Sequence, residues 1–426
     1  MLDINVMSWQ ASSAVAVVLC AFVVSLLLVL TKKHHGHLTL DSTIGVQKSH
    51  DEPTPRVGGI GIYLGVLLAW AVVRDRDVQQ ILGIILLAGS VPFLCGLAED
   101  MSKRVGVLPR LLATMAGGIA AWMLTGICLN RLDIYGVDRL MMLTPVAVLF
   151  TSFAVGGVAN AINIIDGFHG LASGTTIIAL VALGAISVQA QDPQLAMACF
   201  LVAAAITGFW FVNYPWGKLF MGDGGAYFSG FALAWLSVLL IVRNPEVSVW
   251  AALLVCAYPV IEVLYSVCRR YAKRQSPGAP DSGHLHSLIK LKLIRPVLGA
   301  HGIGKSVRNA AVSPIMWMFS ALPALAAIMV FDQPKLLAAY MVLCAFAYHL
   351  CYRYLARRGV GDLIATPEFA GVSALRHSGR RVVSPLNRAL PNELLRHRPP
   401  GRPTHVRLAG QASVTADARG RSSARR

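Results

Sequence analysis

Long apolar runs separated by short polar segments dominate the chain. Eleven of these runs approach the ~20 residues that a helix needs to cross the ~30 Å hydrocarbon core of a bilayer. The pattern therefore predicts an all-α, polytopic integral membrane bundle of about 11 transmembrane helices. The predicted spans are residues 13–31, 57–73, 81–98, 108–128, 140–160, 168–189, 194–213, 223–242, 247–267, 310–331 and 335–355.

Composition supports a membrane protein over a soluble one. Hydrophobic residues make up 55% of the chain and charged residues 14%, and the mean hydropathy is +0.60. A soluble globular domain usually carries about 25% charged residues. The eight cysteines include no Cys-x-x-Cys pair, so they are expected to be small apolar core residues.

The distribution of Lys and Arg predicts the orientation. Alternate connections, beginning after the first run and ending with the C-terminal segment, hold 32 of the 38 basic residues, and the opposite set holds 6. Positive charge is retained in the cytoplasm, so we expect the N-terminus outside and the C-terminus inside.

The last part of the chain differs from the rest. It is rich in Arg, Pro and Ser and lacks periodic apolar residues, so it cannot build a core. We therefore predict a transmembrane domain at residues 1–359 and a disordered basic cytoplasmic tail at residues 360–426. The tail is expected to contact membrane lipids and not nucleic acid, since it carries no base-reading fold.

Polar motifs gather on the predicted cytoplasmic face. They occupy residues 51–59, 99–103, 160–169, 213–225 and 268–310. Each motif alone is compatible with an ordinary capped turn between helices. Because polar and ionisable groups at a membrane boundary are costly, five of them on one face predict a single active site.

Oxygen-bearing side chains in these motifs indicate a metal of the hard class. Glu99, Asp100, Asn163, Asp166 and Asp223 offer carboxylate and amide oxygens, which suit Mg²⁺, or Mn²⁺, better than Zn²⁺. The glycines around Asp223 are expected to let backbone approach this residue closely.

Basic side chains on the same face favour an anionic substrate. Arg56, Lys103, His284 and His286 fall in the same set of motifs. A membrane-embedded site with metal, acids and cations suggests phosphoryl transfer to or from a lipid.

Five stretches, taken in order, carry a family resemblance. They are HDEPTPRVGGIGIYLG, EDMSK, NAINIIDGFHGLA, NYPWGKLFMGDGG and HLHSL. The chain resembles the polyprenyl-phosphate N-acetylhexosamine-1-phosphate transferases, which include phospho-N-acetylmuramoyl-pentapeptide transferase and the undecaprenyl-phosphate enzymes that start O-antigen-type glycans. The resemblance spans about residues 40–295 and agrees with the predicted topology.

The resemblance implies a reaction and its partners. A UDP-N-acetylhexosamine, expected to be UDP-GlcNAc, would give its sugar 1-phosphate to undecaprenyl phosphate, with UMP as the second product. UDP-GalNAc or a deoxy-amino sugar remains open. The expected location is the bacterial inner membrane, with a cytoplasmic active site. A homodimer is one open arrangement.

The resemblance also implies roles for individual residues. Asn163 and Asp223 would hold Mg²⁺ on the donor diphosphate, with Asp100 and Asp166 around metal and lipid phosphate. Glu99 or Asp100 would position the acceptor first and act as a base second, because a phosphate monoester is already mostly dianionic at neutral pH. The residues expected to bind substrate are Arg56, Lys103, Asn160, Asn213, His284 and His286.

Some positions depart from the family pattern. Glu99 stands for the first Asp of the paired acids, Ser287 for a third His, Ala226 for a Ser and His169 for an Asp. Glu262, a costly acid inside a predicted span, is expected to border the site.

Two other functions remain open. A proton-coupled transporter also suits intramembrane acids, although no inverted repeat is visible. A non-catalytic lipid-phosphate binder is the other. Metal-dependent UMP release separates the enzyme from both.

Overall fold

The structure consists almost entirely of helices. A computed structural model describes residues 4–41, 54–274 and 283–357. Within these ranges a π-helical segment, Lys290–Ile294, joins the thirteenth α-helix to the fourteenth. In chain order the α-helices are α1 Ile4–Leu30, α2 Lys32–Thr39, α3 Gly59–Val72, α4 Arg76–Ser102, α5 Val107–Thr125, α6 Val137–Met141, α7 Thr144–Ile165, α8 Leu171–Gln189, α9 Pro193–Asn213, α10 Gly222–Arg243, α11 Val249–Val255, α12 Ala257–Ala272, α13 Leu285–Ile289, α14 Arg295–Ala300, α15 Lys305–Ala310, α16 Val312–Met329 and α17 Pro334–Arg357.

Extended structure in the described ranges is limited to one short pair. The strands β1, Leu40–Asp41, and β2, Thr54–Pro55, are antiparallel, with Leu40 opposite Pro55 and Asp41 opposite Thr54. The all-α fold class is therefore confirmed. Residues 358–426 lie outside the described ranges, so the boundary of the basic tail stays a prediction.

Nine of the eleven predicted spans are confirmed as long apolar helices. In the described residues, nine helical segments have the length and hydropathy to cross a membrane, and a tenth is obtained if a bent pair of helices counts as one span. The chain is thus a multi-pass membrane protein.

The other two predicted spans differ from expectation. The run at 57–73 forms α3, which has 14 residues and is about 21 Å long at 1.5 Å per residue. The run at 247–267 divides into α11 and α12, which meet at an angle of 79°. Pro259 explains the break, since it has no N–H to continue the hydrogen bonding of α11.

Helix α10 lies at the centre of the bundle. Nearly every residue from Gly222 to Ile241 is buried, including the large side chains of Phe228 and Trp235. It packs against α4 and α7 along much of its length. Small residues allow this proximity: a Cβ built on Gly230 would lie 2.7 Å from the Cα of Ala159 on α7.

An ion pair fixes α10 at the end of the bundle away from the polar motifs. Arg243 donates from Nε to Asp192 Oδ2 at 2.7 Å and from Nη2 to Asp192 Oδ1 at 2.9 Å. Asp192 also caps α9 by accepting from the backbone N–H of Leu195 at 3.1 Å. One carboxylate therefore joins the start of α9 to the end of α10.

The opposite end, which we call the polar end, is defined by Asp100, Asn163 and Asp223. The C-terminal ends of α4 and α7 meet there with the N-terminal ends of α5 and α10. Residues far apart in the sequence are thereby brought into one site.

Candidate active site

Asp100 holds the start of α10. Its Oδ1 accepts from the backbone N–H of Asp223 at 2.9 Å, and its Oδ2 accepts from that of Gly224 at 2.9 Å. The first N–H groups of a helix have no partner within it, and the helix dipole favours a negative charge beside them. Because Asp100 is only 1% exposed, its carboxylate mainly satisfies backbone donors.

Asp223 is the hub of the site. Its Oδ1 accepts from Asn163 Nδ2 at 3.1 Å and from Arg56 Nη2 at 3.3 Å. Its Oδ2 accepts from Arg110 Nη1. The Arg56 Nε also lies 3.6 Å from Asp100 Oδ1. The structure thus brings Arg56, Asp100, Asn163 and Asp223 together, and their roles stay a prediction.

Backbone pairing positions Arg56. The N–H of Phe220 donates to Pro55 O at 2.9 Å, and the N–H of Gly58 donates back to Phe220 O at 2.9 Å. The segment before α3 therefore runs alongside the segment before α10. This pairing brings Arg56 to Asp223 across 167 positions of sequence.

Close backbone contact depends on two glycines opposite α10. A Cβ built on Gly96 of α4 would lie 2.5 Å from the N of Gly224, and one built on Gly59 would lie 2.4 Å from the N of Gly225. The expected close approach at Asp223 is confirmed, and it is made by neighbouring helices. Gly222 adds a positive φ of 73°, which other residues rarely adopt.

Asp166 follows the last residue of α7 and keeps part of its surface exposed. Burial among protein atoms is the main cause that raises the pKa of the Asp166 carboxyl well above its usual range. Arg56 opposes the shift, Asp223 and Asp100 add to it, and a backbone hydrogen bond from Gly222 lowers it. Asp166 thus belongs electrostatically to the Asp223 cluster.

Glu99 and Lys103 lie at the turn between α4 and α5. Glu99 Oε2 accepts from the backbone N–H of Val105 at 2.6 Å. Lys103 ends α4 with a left-handed φ of 55° and an exposed side chain. Glu99 directly precedes Asp100 and Lys103 caps the same helix end, so these two residues border the cluster.

Asn160 and Asn213 hold protein elements together. Asn160 Nδ2 donates to Thr114 Oγ1 at 2.9 Å and to Gly156 O at 2.8 Å, which joins α7 to α5. Asn213 Oδ1 accepts from the N–H of Gly170 at 2.6 Å, and its Nδ2 donates to Leu219 O at 2.7 Å.

The His pair is assembled on Glu262 of α12. His284 Nδ1 lies 2.9 Å from Glu262 Oε1, and His286 Nδ1 lies 3.7 Å from Oε2. Glu262 Oε1 also accepts from the N–H of Leu285 at 3.1 Å, and Tyr258 Oη lies 3.1 Å from His286 Nδ1. The two imidazoles stack with their centroids 5.1 Å apart.

Phe168 links the His pair to the loop that carries Asp166. Its ring centroid lies 5.2 Å from that of His286, in an edge-to-face arrangement. The Nζ of Lys290 lies over the Phe168 ring, 5.1 Å from its centroid. Residues expected at a common site thus fall into an Asp223 cluster and a His pair, joined through the short loop 166–170.

His169 stabilises the same loop through contacts with residues outside it. Its N–H donates to Asn309 Oδ1 at 2.7 Å, its O accepts from Ser313 Oγ at 2.6 Å, and its Nδ1 lies 3.2 Å from Pro215 O. The imidazole is buried. The histidine at this position, where the family pattern has Asp, therefore makes a structural contact.

Arg110 and Phe168 were not among the site residues predicted from the sequence. Arg110 is in the first turn of α5, on the face where the other cations gather, so its position in the charge pattern was a signal. Phe168 gave no comparable signal, because an aromatic residue beside a helix end is usually part of the core.

Residues 82–241 match glycosyl transferase family 4. The match covers 160 of the chain's 426 residues. Asp100, Asn163, Asp166 and Asp223 lie inside the matched segment, and the His pair lies outside it. The suspected family is thereby confirmed.

Named relatives extend over more of the chain. The "probable undecaprenyl-phosphate N-acetylglucosaminyl 1-phosphate transferase" of Bacillus subtilis is 27% identical over 279 residues, which are 63% of this chain and 76% of the relative. The "undecaprenyl-phosphate alpha-N-acetylglucosaminyl 1-phosphate transferases" of Yersinia pestis and Escherichia coli K12 are each 29% identical, over 57% of this chain and 67% of the relative.

Proposed function

We propose that this chain transfers N-acetylglucosamine 1-phosphate from UDP-GlcNAc to undecaprenyl phosphate. A lipid phosphate oxygen attacks the sugar-bearing phosphorus, the bond from that phosphorus to the bridging oxygen breaks, and UMP leaves. The products are UMP and undecaprenyl-diphospho-GlcNAc, which would initiate a cell-envelope glycan of the O-antigen type. The observation that carries the proposal is the convergence of Arg56, Arg110, Asn163 and Asp223 at the membrane-boundary end of the bundle. The relatives' names supply the substrates.

We assign a Mg²⁺ requirement, with Mn²⁺ as a substitute, to Asp223 and Asn163. Within the described residues, no three His, Cys, Asp or Glu side chains converge as metal ligands. Mg²⁺ usually needs only one or two protein carboxylates and takes its other ligands from water and substrate phosphates. The oxygen donors of Asp223 and of a rotated Asn163 amide fit that requirement. The metal would neutralise charge on the donor diphosphate.

The two arginines are assigned to the phosphates. Guanidinium groups bind phosphate oxygens with two parallel hydrogen bonds, and their pairing with Asp223 orients both toward the same point. Asp166 adds a carboxyl beside this point. In such a transfer, catalysis is mainly positioning and charge neutralisation.

The other residues predicted from the sequence position the site without contacting the Asp223 side chain. Asp100 positions Asp223 through the backbone of α10, so the proposed base role is not needed. Glu99 and Lys103 border the acceptor side at the α4–α5 turn. Asn160 and Asn213 maintain the loops and helices that surround the substrate.

The His pair is assigned to the donor. Glu262 and Tyr258 fix the imidazoles of His284 and His286, and Phe168 sets them beside the Asp166 loop. Two ordered imidazoles at this place, as cations or as hydrogen-bond donors, would contact the uridine or the phosphates of UDP-GlcNAc. The partner lipid would approach from the bilayer.

We place the polar end on the cytoplasmic side of the bacterial inner membrane. In the sequence pattern, the set of connections to which this end belongs holds 32 of the 38 basic residues, as expected for a cytoplasmic face. In this orientation the N-terminus is outside and the C-terminus inside. A homodimer is compatible with this arrangement.

A panel of donors tests the reaction. Purified full-length protein in detergent is given undecaprenyl phosphate, Mg²⁺ and UDP-GlcNAc or UDP-GalNAc, and UMP release is measured. We expect release from UDP-GlcNAc that stops when either the lipid or the metal is omitted. Release without lipid would indicate a hydrolase, and no release from folded protein would favour a transporter or a non-catalytic lipid-phosphate binder.

A further inference from the structure

A strongly basic segment follows the His pair. We call residues 290–308 the basic arm; it comprises the π-helical segment, α14 and the start of α15. No Asp or Glu occurs anywhere in residues 283–331. The cations of the basic arm are Lys290, Lys292, Arg295, Lys305 and Arg308.

The basic arm also exposes apolar side chains. Leu291 is 42% exposed, Leu293 40%, Val297 42% and Val307 56%. Arg295, between two of them, is exposed as well. Short helices with mixed basic and apolar exposure are typical of segments that lie in the membrane interface, where the apolar side chains insert and the cations meet headgroups.

The position of the basic arm fits this reading. It connects α12 to α16, and it meets the polar end of the bundle through Ser306, whose Oγ donates to Trp216 O at 3.4 Å. Trp216 is itself 63% exposed, and tryptophan is enriched at membrane–water interfaces. The basic arm therefore lies at the boundary between bilayer and solvent.

The cations of the basic arm repel one another. Burial, with Arg308 and Arg295 nearby, lowers the pKa of Lys290 to about 8. A Cβ built on Gly299 would lie 3.1 Å from Arg308 Nη1, so this guanidinium folds back over α14. Such a cluster is stabilised by an external anion.

We propose that the basic arm binds anionic phospholipid headgroups at the bilayer surface. The bound lipid offsets the repulsion among the cations, and the exposed apolar side chains anchor in the acyl region. Two contacts carry the effect to the active site. Lys290 packs on Phe168, and Asn309, directly after the basic arm, accepts from the N–H of His169. Anionic lipid therefore orders the loop 166–170.

Hydrogen–deuterium exchange tests the proposal without reference to catalysis. The full chain is placed in nanodiscs of phosphatidylcholine alone or with increasing phosphatidylglycerol, and amide exchange is followed in residues 290–308 and in the loop 166–170. The test variant, Arg295→Gln/Arg308→Gln, is compared with Arg139→Gln/Lys335→Gln, which removes two exposed cations from the opposite end of the bundle.

We expect phosphatidylglycerol to slow exchange in both segments of the wild type and of the control variant. Each basic side chain near an anionic surface contributes about fivefold in affinity, so the test variant should bind about 25-fold more weakly and lose protection at the lipid fraction that half-protects the wild type. Equal exchange in the two lipids would overturn the proposal. So would protection by inorganic phosphate in phosphatidylcholine, which would indicate a free-anion site, or unchanged protection in the test variant.

Discussion

Replacing Arg110 by glutamine removes one of the two guanidiniums that bond Asp223. The Arg110 side chain is 20% exposed and that of Asp223 9%, so the pair is largely shielded from water. A hydrogen bond to a charged group contributes about 1.5–3 kcal/mol. If Arg110 transfers this interaction to the donor phosphates in the transition state, kcat/KM should fall roughly 10- to 150-fold, at 1.36 kcal/mol per factor of ten.

Steady-state UMP release at subsaturating UDP-GlcNAc measures this ratio. Arg110→Lys keeps the charge but loses the planar fork, so it should fall between the wild type and Arg110→Gln. Arg104→Gln is the matched control, because it removes an exposed cation from the connection between α4 and α5, just before Arg110. A kcat/KM of Arg110→Gln within twofold of that of Arg104→Gln would refute a phosphate-binding role, even if the thermal midpoint dropped.

Three further changes probe other parts of the account. Gly96→Ala should destabilise the fold by about 1–3 kcal/mol through overpacking against Gly224. The control Gly157→Ala, whose Cβ would meet nothing within 4 Å, should leave the thermal midpoint near that of the wild type. Equal thermal midpoints of the two variants would contradict the close packing at Gly96. Glu262→Gln should weaken its contacts with the His pair and raise the KM for UDP-GlcNAc more than it lowers kcat, and an effect on kcat alone would count against donor binding. Lys290, with a pKa of about 8, should lose its charge and its contact with Phe168 between pH 7 and pH 9. The protection factors of the loop 166–170, which correct for faster intrinsic amide exchange at higher pH, should therefore fall over that interval in anionic nanodiscs but not in Lys290→Arg.

The sign of the Lys290 effect follows from its partners. Burial and the neighbouring Arg295 and Arg308 disfavour the charged form of Lys290, and His286 lies across Phe168. The pKa of Lys290 in the fold lies below its ordinary value of 10.5. The unfolded chain therefore binds more protons between pH 8 and pH 10.5, and the net stability of the fold rises with pH over this range even as the local contact with Phe168 is lost.

Hydropathy predicted most of the helices because each span must bury its backbone and present apolar side chains to lipid. It did not predict the break between α11 and α12, since a sliding window averages over a bend. Pro259 was a visible signal for it. It also overestimated α3, because the N–H groups of Gly58 and Gly59 donate to the carbonyls of residues 220 and 221, so the helix begins only at Gly59.

The motifs predicted which polar residues gather, but not which atoms they contact. Asp100 was expected beside the substrate, and instead it satisfies the first N–H groups of α10. Asn213 likewise hydrogen-bonds backbone groups in two loops, at Gly170 and Leu219. Side-chain chemistry in a sequence does not distinguish a carboxylate or amide that binds backbone from one that binds substrate, because both partners offer N–H groups.

The central claim is that the Asp223 cluster performs the transfer. Its most direct test compares UMP release by the wild type, Asp223→Asn and Asp77→Asn in detergent with undecaprenyl phosphate, UDP-GlcNAc and Mg²⁺, alongside Mn²⁺ binding to each protein measured by electron paramagnetic resonance. Asp77 is an exposed carboxylate at the other end of α4 and serves as the matched control. We expect Asp223→Asn to lose both release and Mn²⁺ binding, while Asp77→Asn retains both. Release at the wild-type rate by folded Asp223→Asn would contradict it.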